Sequence, residues 1–285
     1  MPPGTEHAGS IYDLGYRPYD GPRLGRRHAV RTVYVESLRA AYGLGRRGAS
    51  KVIPITLLVI GLLPAAVHLG IAAASRQDVD IVKPEDYSSF IEMIIALFVA
   101  AQAPELAGRD QRNRTLSLYF SRAIERRDYA LAKLGALVSA MLVLTLVPQT
   151  VLFVGNAFTT TSALDYLRDE APDIPRVLAS SLLISGFCAS VALAIASRTS
   201  RRAYATGGII ALFVMSAAIG GILDATVGRY GIMLSLFDLM TGATYWIFSA
   251  GHEYEVPTGL MFAAVVAITA VSVALVLRRY ERIPA

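Results

Sequence analysis

The chain has 285 residues, of which 54% are hydrophobic and 17% charged, with a formal net charge of +5. Its mean hydropathy is +0.48, and that apolar share excludes an ordinary soluble domain and a disordered chain. A single cysteine, Cys188, excludes an intrachain disulfide and argues against a cysteine-based metal site.

Taken from the N-terminus, residues 1–51 read as a cytoplasmic tail ending in a surface helix. Within 29–47, Val30, Val33, Tyr34, Leu38, Ala41 and Tyr42 recur at helical spacing, with Arg31, Glu36, Arg39 and Arg46 between them. That pattern predicts an amphipathic helix on the inner membrane surface, its arginines near anionic headgroups. Residues 52–285 then read as an all-α membrane domain with six crossings. About 20 apolar residues are needed to span a hydrocarbon core of roughly 30 Å. The expected spans are Val52 to Ala74, Phe90 to Leu106, Tyr129 to about Gly155, Val177 to Ser197, Ala203 to about Leu223, and Val256 to Leu277. The second is short and contains Glu92. Pro54, Pro64, Pro104 and Pro148 should kink or end their helices. The first apolar run begins too far from the start for a cleaved leader.

Charge gives a second, independent test. With both ends inside, the cytoplasmic pieces are 1–51, 107–133, 197–203 and 278–285, and they hold 22 of the 27 Lys and Arg. Positive residues favour the cytoplasmic side, so this split supports six spans with both termini inside. The acidic residues Asp78, Asp80, Glu85, Asp86, Asp165, Asp169, Glu170 and Asp173 fall in the first two outer loops. Residues 225–255 belong to neither a loop nor a span. They carry Tyr230, Phe237, Asp238, Tyr245, Trp246, Phe248 and Tyr254. The segment either rests on the outer leaflet or dips in and returns under the protection of other helices.

Chemistry is sparse. Gly43-Leu44-Gly45-Arg46-Arg47-Gly48 matches a dinucleotide pattern but lacks the strand that pattern requires, so an elbow entering the first span is expected. No phosphate-binding G-x-x-x-x-G-K-[ST] loop occurs, so the chain is no P-loop ATPase by itself. Asn113-Arg114-Thr115 is a glycosylation sequon only by pattern, because the topology places it in the cytoplasm. His7, His28, His68 and His252 form no ligand spacing, so no metal site is expected. The spans hold Glu92, Glu105, His68, Gln102, Gln149 and Asn156. Glu92 and Glu105 are candidates for a gating or structural ion pair. Stripes of small residues (Ser181, Ser185 and Ala189; Ser216 and Gly220) predict close helix packing, within the bundle or at a dimer seam.

The stretch 105–133, ELAGRDQRNRTLSLYFSRAIERRDYALAK, joins spans two and three. It carries Arg109, Arg112, Arg114, Arg122, Arg126, Arg127 and Lys133, with Leu116, Tyr119 and Phe120 as an apolar edge. Positive-inside charge explains the arginines but not that edge. A short amphipathic helix docking in a partner's groove explains both.

This stretch resembles the permease subunit of ABC-2-type (type V) ABC exporters. The resemblance rests on Glu105 ending span two, on Thr115-Leu116, on Ser121-Arg122-Ala123-Ile124-Glu125-Arg126-Arg127-Asp128-Tyr129, and on Ala132-Lys133. Ala123 stands where the family has proline, Asn-Arg where it has glycine before the threonine, and Ala132 where it has glycine. The resemblance implies a non-enzymatic permease in a bacterial inner membrane, paired with a second permease copy or a similar chain. A separate cytoplasmic ABC ATPase would bind the ATP and Mg, and no nucleic acid would be involved. Arg112, Arg114, Thr115, Leu116, Tyr119, Phe120 and Arg122 would lie on the coupling helix, within a coupling loop at 107–128. Asp238, Tyr245 and Trp246 would help seal the outer exit. The apolar spans favour a hydrophobic or amphipathic cargo. A secondary ion-coupled transporter and a membrane scaffold remain the alternatives from other classes.

Overall fold

The computed structural model describes residues 21, 24–46, 48–75, 82–113, 116, 119, 124–160, 162–199, 201–251 and 254–282. The fold is all-helical, without strands among the described residues. In chain order the helices are α1 (Gly25–Ala41), α2 (Ala49–Ser75), α3 (Tyr87–Phe90), α4 (Glu92–Arg112), α5 (Arg126–Thr159), α6 (Ala163–Asp169) and α7 (Asp173–Ala196). They continue with α8 (Arg202–Thr226), a 3-10 turn (Arg229–Leu234), α9 (Leu236–Phe248) and α10 (Thr258–Glu281). Five of them, α2, α5, α7, α8 and α10, are long and apolar enough to cross a membrane. Helix α4, where the second span was expected, is long enough but carries Glu92, Glu105, Arg109 and Asp110 and falls outside that group.

Helix α1 forms as expected but ends earlier than the sequence pattern suggested. Gly43 and Gly45 adopt positive φ of 65° and 79°, which stops the helix and turns the chain into α2. A side chain at Gly43 would collide with the backbone of Ser50. The glycines therefore form the expected elbow. The apolar face of α1 lies along the start of α5. Tyr34 Oη and Ser139 Oγ are 2.7 Å apart, and Tyr42 Oη donates to the Ala140 carbonyl at 2.7 Å. Burial pushes the Tyr42 phenol above its ordinary value.

All four interior prolines sit within helices and end none of them. Near Pro64, the Gly61 carbonyl accepts a hydrogen bond from Tyr87 Oη at 2.7 Å, a neighbouring group serving backbone that proline disturbs.

Helices α4 and α7 form the centre. On α4, Ile91 at its threshold and Ile95, Phe98, Val99, Ala103, Leu106 and Ala107 along it are fully buried. On α7, Ser181, Ser185 and Ala189 are equally buried. Thr145 of α5 lies 3.2 Å from Ser185, and Gln149 Nε2 is 3.5 Å from Ser181 Oγ. That small-residue stripe is thus a seam within the bundle and not between copies.

The segment 225–255 folds back into the bundle. Gly231 packs against Leu223 and Asp224 at the end of α8. The chain then runs along α8: Leu236 N donates to Ser216 Oγ at 3.3 Å, and the Phe237 and Phe213 rings are 5.5 Å apart. Ser235 caps α9 by accepting from Asp238 N at 3.2 Å, and α9 returns, ending at Ser249 in a left-handed conformation. Phe213 lies thirteen residues before the end of α8, about 20 Å along the axis. Gly220 and Gly242 permit this insertion, since a Cβ would meet Ser235 at Gly220 and the Met261 sulfur at Gly242.

Candidate functional site

Polar groups cluster at the two ends of the bundle. At one end meet α1, the end of α4, the start of α5, the α7–α8 junction and the end of α10. Arg26 pairs with Asp128 at 2.6 Å and with Glu125, which holds the Arg26 guanidinium above its ordinary pKa. Arg127 pairs with Glu281, and Arg279 Nε donates to the Ser197 carbonyl at 3.2 Å. These are the basic segments that the charge count groups together.

Glu105 sits at the junction of three of these elements. It pairs with Arg46 in the elbow before α2 and with Arg202 at the start of α8, 3.6 Å away. Both Arg46 and Glu105 are largely buried, so the pair is sheltered from solvent screening. The structure therefore assigns Glu105 a clamping contact. One helical turn further, Asp110 pairs with Lys133 at 2.8 Å and accepts from the Tyr129 hydroxyl at 2.5 Å. Lys133 Nζ also lies 5.3 Å from the Tyr129 ring centre. The Tyr129 ring packs on Tyr280 of α10 at 5.4 Å and on Tyr119 at 5.5 Å.

That cluster fixes part of the stretch between α4 and α5. Leu116 is buried in the chain's own core, and Tyr119 is half-buried against Tyr129. In this structure Leu116 and Tyr119, two of the three apolar residues expected on a partner-facing edge, point toward their own bundle. Asn113 is exposed. Arg112 is the last residue of α4. Arg114, Thr115, Phe120 and Arg122 lie outside the described residues. Sequence reasoning singled out the basic run but missed Asp110, Tyr129 and Tyr280, because the residues that meet them are far apart in sequence.

At the opposite end, Tyr245 Oη donates to Asp86 Oδ1 at 2.6 Å. Tyr254 Oη donates to Asp238 Oδ1 at 3.0 Å, and burial, followed by the Asp238 charge, pushes the Tyr254 phenol above its ordinary value. Glu92, at the start of α4, lies close enough to Asp238 to feel its charge. Glu92, Asp238 and Tyr245 therefore belong to one neighbourhood, whereas Glu105 is at the far end of the same helix. Trp246 is half-exposed and stacks on Phe262 of α10 at 4.2 Å. A polar recess of 710 Å³ lined by Lys83, Asp86, Asp224, Arg229, Tyr254 and Glu255 opens here. No group of three or more His, Cys, Asp and Glu placed to hold a metal occurs among the described residues.

The arrangement holds a basic connection against the base of a helix bundle and plugs the other end with a returning helix. No protein-family model matches the chain, and no curated protein matches it in sequence.

Proposed function

We propose that the chain is the permease half of an ATP-driven exporter of the ABC-2 (type V) kind, seated in a bacterial inner membrane with both ends in the cytoplasm. Helix α4 is the remaining crossing in this reading, which brings the number to six. Its 21 residues extend about 32 Å. Its first residue neighbours the acidic, aromatic end and its Glu105 the basic end. Such a helix is tolerated in lipid because other helices surround its polar groups. The returning α9 then lies at membrane depth, shielded by α7, α8 and α10.

The observation that carries this reading is the tethering of the basic 105–133 stretch. Glu105 clamps it to the elbow and α8, while Asp110, Lys133, Tyr129 and Leu116 fix it to α5 and the core. A force applied to this connection by a docked ATPase reaches α2, α5 and α8 at once. In this reading Arg109, exposed near the end of α4, and Arg112, Arg114 and Arg122 of the same stretch meet a complementary acidic cleft on that partner, which supplies ATP and Mg. Transport requires a second permease copy or a similar chain to close a pathway. Leu116 and Tyr119 act in this scheme as internal anchors of the coupling segment.

The test is whether a cytoplasmic ATPase co-purifies with this chain from its native membrane, followed by replacement of Arg109, Arg112 and Arg114 with glutamate. The expected result is loss of the ATPase from the complex with the permease still folded. Full retention of the ATPase with unchanged turnover overturns the assignment. Cargo movement in ATP-free proteoliposomes under an ion gradient would replace it with the secondary-transporter reading.

A further inference from the structure

Several basic residues at the basic end of the bundle meet acids: Arg26 with Asp128 and Glu125, Arg46 and Arg202 with Glu105, Arg127 with Glu281, and Lys133 with Asp110. One corner of that end breaks the pattern. Arg198 and Arg201 in the α7–α8 junction, and Arg278 and Arg282 at the end of α10, are exposed. No carboxylate pairs with any of these four among the described residues.

The two segments are tied to each other. Arg279 Nε donates at 3.2 Å to the carbonyl of Ser197, the residue before Arg198. This contact also fixes how α10 is rotated. Tyr280 packs on Tyr129 and Glu281 pairs with Arg127, so those two side chains face α5. At about 100° per residue, Arg282 and Arg278 lie about 60° and 100° beyond Arg279, on the side away from Tyr280. Two exposed guanidinium groups one helical turn apart therefore flank the junction that carries Arg198 and Arg201.

An apolar surface leads up to this corner. Ala267, Val271, Ala274 and Arg278 recur at helical spacing on the exposed side of α10, a helix long and apolar enough to cross a membrane. On the other segment, the exposed ring of Tyr204 sits early in α8, and the Arg201 guanidinium lies 5.6 Å from its centre. An exposed aromatic ring beside an arginine at the end of an apolar helix suits the lipid–water boundary. The positive-inside preference explains why this end is basic. It does not explain why unpaired guanidinium groups from two segments gather at the end of an exposed apolar track.

We propose that this corner binds an anionic phospholipid. Its phosphate accepts from Arg278 and Arg282 and from the arginines of the junction, while an acyl chain runs along Ala274, Val271 and Ala267. Arginine suits this task, because its planar fork grips a phosphate through two parallel hydrogen bonds. Basic residues between membrane helices are a recurrent seat for anionic headgroups. A soluble phosphate would use the arginines and leave the apolar track idle, so a lipid accounts for both. The bound headgroup joins the α7–α8 junction to the end of α10, beside the Arg279–Ser197 contact. The site stands independently of the exporter reading, and its test needs neither ATP nor a partner protein.

The experiment is native mass spectrometry of the full chain in detergent, titrated with dioleoylphosphatidylglycerol. Saturable binding is expected, with dioleoylphosphatidylcholine, which has the same chains and no net charge, about tenfold weaker. Arg278→Gln combined with Arg282→Gln should weaken phosphatidylglycerol about tenfold, and Arg198→Gln combined with Arg201→Gln should do the same. Arg27→Gln combined with Arg31→Gln removes equal charge from exposed positions on α1 and should change affinity by less than about twofold. Glycerol 3-phosphate should not displace the lipid. Equal affinity for phosphatidylcholine overturns the proposal. A loss from the α1 pair as large as from the α10 pair would mean diffuse attraction and also sink it. Displacement by glycerol 3-phosphate as effective as by further phosphatidylglycerol would reassign the arginines to a soluble phosphate.

Discussion

Helices α4 and α10 differ in a way that inverts the usual link between apolarity and burial. Helix α10 is apolar almost all round, yet only Met261, Val265, Ser272, Val276 and Tyr280 of it are buried. Leu260, Val266 and Val271 are exposed on its other side. Helix α4 carries two glutamates, an aspartate and two arginines, yet nearly every side of it is buried. The physical reason is the solvent. Lipid tails are as apolar as leucine, so a helix facing lipid must be apolar all round. A central helix never meets lipid, and neighbours can satisfy its polar groups. Between these two helices the more apolar one is the more exposed, and the one enclosed by its neighbours is the less apolar.

The sharpest test of this contrast is all-or-none. If α4 crosses, Lys83→Cys and Asn113→Cys should react with a membrane-impermeant maleimide from opposite sides, Lys83→Cys from outside only. Cys188 is fully buried and should contribute no background. Labelling of both from one side removes α4 from the spans. Next in size is Phe98→Ala on α4, which should cost about 3–5 kcal/mol in detergent unfolding because the ring is fully buried. Replacing Glu105 with glutamine leaves Arg46 without its charge partner, and a loss of about 3 kcal/mol is expected. Tyr129→Phe removes the hydroxyl from Asp110 and should cost about 1–3 kcal/mol. The smallest effect belongs to α10: Val271→Ala, on its exposed side, should stay within about 0.5 kcal/mol. A Val271→Ala loss as large as that of Phe98→Ala would break the comparison.

The residues of the basic end show how far sequence can reach. Arg109, Arg112 and Arg114 stand out as a run, and the run alone points to the 105–133 connection. Asp110 among them carries no local signal, because its partner Lys133 lies 23 positions away. Leu116 and Tyr119 have the spacing of an apolar edge, but spacing leaves open which surface receives that edge. Here the receiving surface is Tyr129 and the chain's own core. Ser181, Ser185 and Ala189 pose the same problem: a small-residue stripe predicts close approach, and only the position of α5 shows against what.

Composition and periodicity by themselves determined that this is a helical membrane protein, where its long apolar helices fall, and which connections are basic. Those properties are local, set by transfer free energies and helix geometry over some twenty residues at a time. The tertiary structure decided that α4 is the centre of the bundle, that α9 returns between α7, α8 and α10, and that Glu105 clamps Arg46 and Arg202. Each of those facts depends on groups far apart in the chain meeting away from solvent, and a one-dimensional pattern does not encode which of its polar residues will meet.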